Sequence, residues 1–273
     1  MMSIGNRDSY AAATDELTAY ASSASAADVA VLGDELLSVA RLLSGEPRLR
    51  RALSDSSTTP ARRTELVGAL LTGKVGAPAL TVLTALVSGR WSSPSEFLTA
   101  VEQAGVDALL SSGSSAGELS EVEDELFRFA KVVSAEKALG GALGDSSVPA
   151  SRRSELVREL LTGKANPVTV RLVEVALSGF GGRGFVASLD RLVELAADRQ
   201  DRDLAYVTVA RPLAEADEQA LAAKLSELYG RGVSLKVTVD PAIVGGISVK
   251  VGSDLYDGTI LRRLTEARKA FAK

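Results

Sequence analysis

Apolar residues recur every three to four positions over roughly the first two hundred residues, which is the spacing of amphipathic helices. Near the start, Tyr10, Ala13, Leu17 and Tyr20 fall on one face of a helix predicted over 6–20. The same spacing continues in two series of helices, separated by turns rich in serine, glycine and proline. This part of the chain is therefore predicted to form a helical bundle.

The period changes to two in about the last seventy residues, as expected for strands with one buried face. Val233, Leu235, Val237 and Val239 alternate with polar residues and predict a strand. Asp240-Pro241 ends it, because proline has no N–H to donate to a neighbouring strand. The elements predicted before it are a strand over Tyr206–Val209 and a helix over Glu215–Tyr229, buried through Leu221, Leu225 and Leu228.

A second strand is predicted over Ile243–Val251, interrupted by Gly245-Gly246, a pair that indicates a bulge or the close approach of another backbone. A polar turn is predicted over 252–258. From Thr259 a helix follows, with Ile260, Leu264, Ala267 and Phe271 on one stripe. These elements predict a mixed sheet of three or four strands with two helices.

The helical part contains an internal duplication with an offset of ninety residues. Residues 52–74 and 142–164 are identical at 15 of 23 positions without a gap. The predicted fold class is therefore mainly α, an N-terminal helical bundle with a duplicated helical unit, followed by a small C-terminal α/β domain. The predicted domains are 1–112 with the first copy, 113–203 with the second copy and a hinge, and 204–273 as the α/β domain.

Composition excludes several kinds of chemistry. The chain has no histidine and no cysteine, so imidazole or thiolate metal sites, disulfides and Ser-His-Asp triads are impossible. We expect no catalytic residue, no metal and no cofactor. The net charge is −4 and no cluster of lysine and arginine predicts nucleic-acid binding. Neither a secretory signal pattern nor a membrane-spanning run is visible, so we expect a cytosolic or peripherally bound protein.

Two glycine loops keep a nucleotide-binding enzyme open as an alternative. Gly68–Lys74 has the spacing of a phosphate-binding loop, but Val75 stands where a serine or threonine would bind magnesium. Gly179–Gly184 matches the dinucleotide pattern GxGxxG, yet helical spacing precedes it and its duplicate lacks the glycines. A helix end explains both loops better.

Three further features leave a choice open. Gly230-Arg-Gly232 before a strand would suit a small RNA-binding αβ module, although the C-terminal part has only weak positive charge and few aromatic residues. Trp91 is either an interface anchor or a core residue. The repeated pair Arg62-Arg63 is interpreted as an exposed first turn of a helix rather than an anion site.

The C-terminal string resembles a known family signature. Val239-Asp240-Pro241, Gly245-Gly246-Ile247, Val251-Gly252 and Asp257-Gly258 occur in the order and spacing of the delta subunit of bacterial F-type ATP synthases, the counterpart of the mitochondrial oligomycin-sensitivity-conferring protein. The helical part is similar to the same family, and its doubling resembles the long actinobacterial form.

The resemblance implies a function and partners. It implies a non-catalytic stator subunit of the peripheral stalk, peripheral at the cytoplasmic face of the cell membrane, supporting proton-coupled ATP synthesis. The N-terminal helices of alpha subunits and the C-terminal helices of b subunits would be its partners, with no nucleic acid and with membrane contact only through the complex. The residues expected at these interfaces are Tyr10, Ala13, Leu17, Val82, Leu83 and Leu86 in the helical part, and Ile247, Val249 and Leu264 in the C-terminal part.

Overall fold

The computed structural model describes residues 4–200, 202–230, 232–241, 243, 245–251 and 254–258. The chain divides into two compact units, Met1–Leu192 and Val193–Lys273, named the helical unit and the C-terminal unit. The mainly helical fold class with a small C-terminal α/β part is confirmed. The domain boundaries expected at 112/113 and 203/204 stay predictions.

The helical unit begins with α1 (Ile4–Ala21), the helix predicted over 6–20. The first copy of the repeat then forms α2 (Ala26–Gly45), α3 (Pro47–Ser54), α4 (Pro60–Leu71), α5 (Ala77–Ser88) and α6 (Pro94–Ser115). The second copy forms α7 (Leu119–Ala135), α8 (Lys137–Gly144), α9 (Ala150–Leu161), α10 (Pro167–Leu177), a 3-10 turn (Phe180–Gly182) and α11 (Phe185–Arg199). The division between the two units falls within α11.

Local chemistry explains where these helices begin and end. The Ser25 side chain accepts a hydrogen bond from the backbone N–H of Asp28 at the start of α2, which satisfies one of the unpaired N–H groups there. The glycines predicted to close α4 and α9 do so with left-handed backbones, at φ 76° for Gly73 and 73° for Gly163. The sequence signals for both ends are confirmed.

The core of the first copy forms where α2 crosses α6. Gly105 allows this crossing, because a Cβ atom there would lie 2.6 Å from the Cγ atom of Leu37. Side chains from α1, α2, α4, α5 and α6 meet in one buried apolar cluster. Its fully buried members include Leu36, Leu86 and Phe97.

In the C-terminal unit, the end of α11 is followed by a four-stranded mixed sheet and one further described helix. The elements are β1 (Arg202–Val209), α12 (Glu215–Tyr229), β2 (Gly232–Val239), β3 (Ile247–Val251) and β4 (Asp254–Asp257), in the order β2-β1-β3-β4. Strands β1 and β2 are parallel, whereas β3 is antiparallel to both β1 and β4. Alternate residues of the sheet, including Val207 and Val249, form the core with Leu225 of α12.

Three expectations for this unit need correction. Gly245-Gly246 lies before β3 instead of interrupting it, since pairing with β1 begins at Ile247. The expected polar turn contains β4, where Leu255 and Tyr256 pair with β3 despite their charged neighbours. Leu228 is 63% exposed, because α12 packs on the sheet through Leu221, Leu225 and Tyr229. The helix expected from Thr259 lies outside the described residues.

Candidate functional site

The predicted interface residues of the helical unit form the contact between α1 and α5. Ala13 and Leu17 are 1% and 2% exposed, and the three residues predicted on α5 are equally buried. All five belong to the same core cluster. The structure therefore brings these residues together, but as the packing that holds α1 on α5 and not as an open surface. The α5 residues are Val82, Leu83 and Leu86.

Tyr10, the sixth of these residues, lies at the edge of the contact. Its hydroxyl donates to the Asp107 carboxylate on α6 at 2.6 Å. One residue earlier, the Ser9 hydroxyl donates to the Arg90 carbonyl and accepts from the Arg90 N–H, both at 2.9 Å. Gly89 permits this approach, since a Cβ atom there would lie 2.6 Å from the Ser9 Cβ atom. Polar contacts thus fix α1 to both α5 and α6.

A seam of exposed and half-buried side chains, most of them small, runs along the outer edge of the α1–α5 contact. Because Ser9 meets the loop after α5, helical spacing places Ala12 and Glu16 on the same side of α1. Both side chains are exposed, as is Thr81 on α5, while Ala85 is half-buried. We name Ala12, Glu16, Thr81 and Ala85 the α1–α5 seam. Sequence reasoning missed it, because the seam carries no apolar periodicity.

A buried arginine fixes the end of α5. Arg63 on α4 is 2% exposed, so the expectation of an exposed Arg62-Arg63 pair is wrong for its second member. Its guanidinium donates to five backbone carbonyls, which belong to residues 55, 58, 87, 88 and 89. Arginine suits this role because its planar fork presents five donors. The loop that receives Ser9 is therefore held in place from the other side by Arg63.

The second copy repeats this arrangement. Arg153, at the position equivalent to Arg63, donates to the carbonyls of Leu143, Val148 and Leu177. Two acidic residues at equivalent positions also make equivalent hydrogen bonds. Glu35 accepts from the Gly76 N–H and Glu125 from the Asn166 N–H, each at 2.9 Å. The duplication is therefore one of tertiary hydrogen bonds as well as of sequence.

The two copies are joined by polar contacts within the helical unit. The Arg171 guanidinium on α10 pairs with Asp34 on α2 at 3.0 Å. The Gly181 N–H, in the glycine-rich loop, donates to the Glu102 carboxylate on α6 at 3.0 Å. Burial raises the pKa of the Glu102 carboxyl, and this hydrogen bond only partly opposes that effect. The GxGxxG loop thus holds a carboxylate of its own chain.

The remaining candidates from the sequence have structural roles. Gly68 lies inside α4, and the Leu71 carbonyl near its end accepts from the Lys74 and Val75 N–H groups. Trp91 is 6% exposed and its indole N–H donates to the Leu86 carbonyl, which identifies it as a core residue. Within the described ranges, no group of three or more acidic residues is placed to hold a metal ion. No described helix is long and apolar enough to span a membrane.

The predicted interface of the C-terminal unit lies partly in the sheet core. Val249 is buried and Ile247 is half-buried, and both pack in the apolar cluster of the sheet. Leu264 lies outside the described residues. Large apolar side chains that are exposed instead include Leu228, at the end of α12, and Tyr256, at 47% on β4. The Tyr229 and Tyr256 hydroxyls lie 3.1 Å apart and connect these two elements.

Comparison with known proteins identifies relatives of this chain. A family model described as ATP synthase delta (OSCP) subunit matches residues 101–271, more than half of the chain. ATP synthase subunit delta of Salinispora arenicola is 59% identical over 273 residues, with 100% of both chains covered. The corresponding subunit of Streptomyces griseus is 42% identical over 271 residues, 99% of this chain and 100% of the relative.

A similarity to a solved structure is weaker. A chain from the Toxoplasma gondii mitochondrial ATP synthase hexamer has a TM-score of 0.38 and 15% identity, over 62% of this chain and 95% of that chain. The sequence matches, and not this similarity, show the family. The matches to the two subunit delta relatives both extend over the two copies of the repeat. The chain belongs to the ATP synthase delta (OSCP) subunit family and is a non-catalytic stator subunit of the peripheral stalk.

Proposed function

We propose that this chain connects the catalytic head of an F-type ATP synthase to its membrane sector through one surface on each unit. The α1–α5 seam would bind the N-terminal helix of an alpha subunit. The C-terminal unit would bind the C-terminal helices of b subunits. The protein would then act at the cytoplasmic face of the cell membrane, peripherally and only as part of the complex.

The observation that carries the proposal is the α1–α5 seam. The small side chains of Ala12, Thr81 and Ala85 let a partner helix approach closely, and an amphipathic helix binds such a groove through its apolar face. Asp8, Asp15 and Glu16 on α1 are exposed, which favours a partner helix with basic residues beside its apolar stripe. Beneath the seam, the buried contact between α1 and α5 holds the two helices rigidly together. A stator subunit needs such rigidity because it must resist torque.

Exposed apolar side chains support the proposed binding surface on the C-terminal unit. Leu228 and Tyr256 project from the ends of α12 and β4, which the Tyr229 hydroxyl connects. Exposed aromatic and aliphatic residues in one region suit burial by another polypeptide. The glycine loops supply no comparable support for nucleotide binding, because one ends a helix and the other holds Glu102.

The alpha contact can be tested with two neighbouring alanines on α1. Ala11 and Ala12 are both exposed, but only Ala12 lies on the seam. Isothermal titration with a synthetic peptide of the alpha N-terminus should show at least about tenfold weaker binding to Ala12→Arg, equivalent to about 1.4 kcal/mol. Ala11→Arg should bind like the wild type. Equal effects of the two substitutions, or no binding to the wild type, would contradict the proposed contact.

The stalk contact has its own test. Tagged chain used to capture complexes from detergent-solubilised membranes should retain both alpha and b subunits. Leu228→Asp should reduce the recovery of b while leaving alpha unchanged, and Glu227→Ala, at an exposed neighbouring position, is the control. Full recovery of b with Leu228→Asp would exclude this part of the C-terminal unit from the interface.

A further inference from the structure

The two flanks of α5 have different neighbours. On one flank lies α4, shown by the Thr64 and Ser88 hydroxyls 3.5 Å apart and by the Arg63 contacts. On the other flank lies α1, whose Ser9 meets the loop after α5. Thr81 lies between the two flanks on the outward side of α5, because helical spacing sets it opposite the buried stripe. Thr81 therefore forms part of the α1–α5 seam of the first copy.

In the second copy, α10 takes the place of α5 and α9 that of α4. The ion pair between Arg158 and Glu174, at 2.6 Å, shows that α9 covers the first flank. Only the second flank is left for a further helix. At the ninety-residue offset of the repeat, α1 corresponds to residues 94–111, which lie in α6.

Helices of the first copy cover that second flank. Arg171, at the position equivalent to Thr81, reaches Asp34 on α2. In the loop after α10, Gly181 donates to Glu102 on α6 and lies close to Thr99 on the same helix. Helices α6 and α10 are also in contact with each other. For α10, therefore, α6 stands where α1 stands for α5. Helix α2 reaches the edge between α6 and α10 through Asp34, and Val106, at the position equivalent to the exposed Glu16, is fully buried.

We propose that the second copy has its helix-binding side filled from within the chain, so that this protein binds a single partner helix, at the first copy. The inference rests on the proposed alpha contact and adds the number and place of the sites. The partner of the first copy would lie over the α1–α5 seam, so an equivalent second partner would lie over α6 and α10, where it would have to displace α2. Helix α2 carries the buried residues Leu32, Leu36 and Leu43, so its displacement would open the core of the first copy. The second copy then serves as a rigid spacer locked to the first.

Reciprocal substitutions at equivalent positions test this inference. Thr81→Arg gives the first copy the residue of the second, and Arg171→Thr does the reverse. The full chain and both variants would be titrated with a synthetic peptide of the alpha N-terminus, with stoichiometry also read by native mass spectrometry. The expected result is one peptide per chain, about tenfold or more weaker binding to Thr81→Arg, and unchanged affinity and stoichiometry for Arg171→Thr. Thermal unfolding confirms that both variants are folded.

The other outcomes are distinct. Two peptides bound per wild-type chain would overturn the single-site inference while leaving the alpha contact intact. Weaker binding to Arg171→Thr with unchanged binding to Thr81→Arg would place the site on the second copy and overturn it as well. Absence of any binding to the wild type would overturn both this inference and the proposed alpha contact.

Discussion

The two copies of the helical repeat keep the same internal hydrogen bonds but differ in what lies beside them. Arg63 and Arg153 hold equivalent helix ends, and Glu35 and Glu125 accept from equivalent backbone N–H groups. Beside α5 lies α1, with an exposed seam, whereas α10 contacts α6 and also pairs with α2 of the first copy. After duplication, the same local fold can serve one copy as a binding surface and the other as an internal joint.

Among the substitutions that compare the two copies, loss of the buried arginine should lower the free energy of unfolding most. Arg63→Ala leaves five carbonyls without their donor, and we expect the free energy of unfolding to fall by about 3–4 kcal/mol. Arg153→Ala removes three such bonds and should lower it by about half as much. Urea denaturation followed by circular dichroism measures both. The control is Arg62→Ala, at the exposed neighbour of Arg63; if it is as damaging as Arg63→Ala, the role of burial is refuted.

The crossing of α2 and α6 at Gly105 should be the next most sensitive to substitution. Gly105→Ala places a methyl group against Leu37, and overpacking should lower the free energy of unfolding by about 1–2 kcal/mol. Gly68→Ala on α4 meets nothing within 4 Å and should raise it by about 0.5–1 kcal/mol, because alanine favours the helix. Thermal unfolding of the two variants compares them directly. A change of the same sign in both would show that close approach is not the cause.

The joint between the copies should be sensitive to pH through Glu102. Its folded pKa is raised above the ordinary value of 4.5 by burial. The folded state therefore holds this proton more tightly than the unfolded state, and the free energy of unfolding falls as the pH rises from 4.5 through the folded pKa. Glu102→Gln keeps an acceptor for the Gly181 N–H and cannot ionise. Its melting temperature relative to the wild type should rise over that interval, and parallel curves would contradict the assignment.

The smallest effect should come from the ion pair between the copies. The side chains of Arg171 and Asp34 are 37% and 45% exposed. Solvent screening limits such a pair to less than about 1 kcal/mol. Arg171→Ala should therefore change the urea midpoint only slightly at low salt and not at all at high salt. A large loss of stability would mean that this pair, and not the packing of α6 on α10, holds the copies together.

Much of the fold could be predicted because its signals are local. The limits of α12 agree with prediction, and the glycines after α4 and α9 end their helices as expected. The predictions were wrong where one sequence pattern fits two ways of packing a helix. Leu221 and Leu225 share a helical stripe with either Leu228 or Tyr229, and only the position of the sheet selects Tyr229. The predicted interface residues had the same ambiguity, since an apolar face pattern is the same for core and groove.

The sequence by itself determined the family, the order of the described helices and of the first three strands, and the duplication, because these depend on spacing and identity along the chain. Tertiary structure decided which Arg of the pair is buried, why the GxGxxG loop holds Glu102, and which side of each copy is covered. These outcomes depend on contacts between residues far apart in the chain. Equivalent sequences in the two copies therefore have different neighbours, and the contact of α2 with α10 distinguishes the closed joint from the exposed seam.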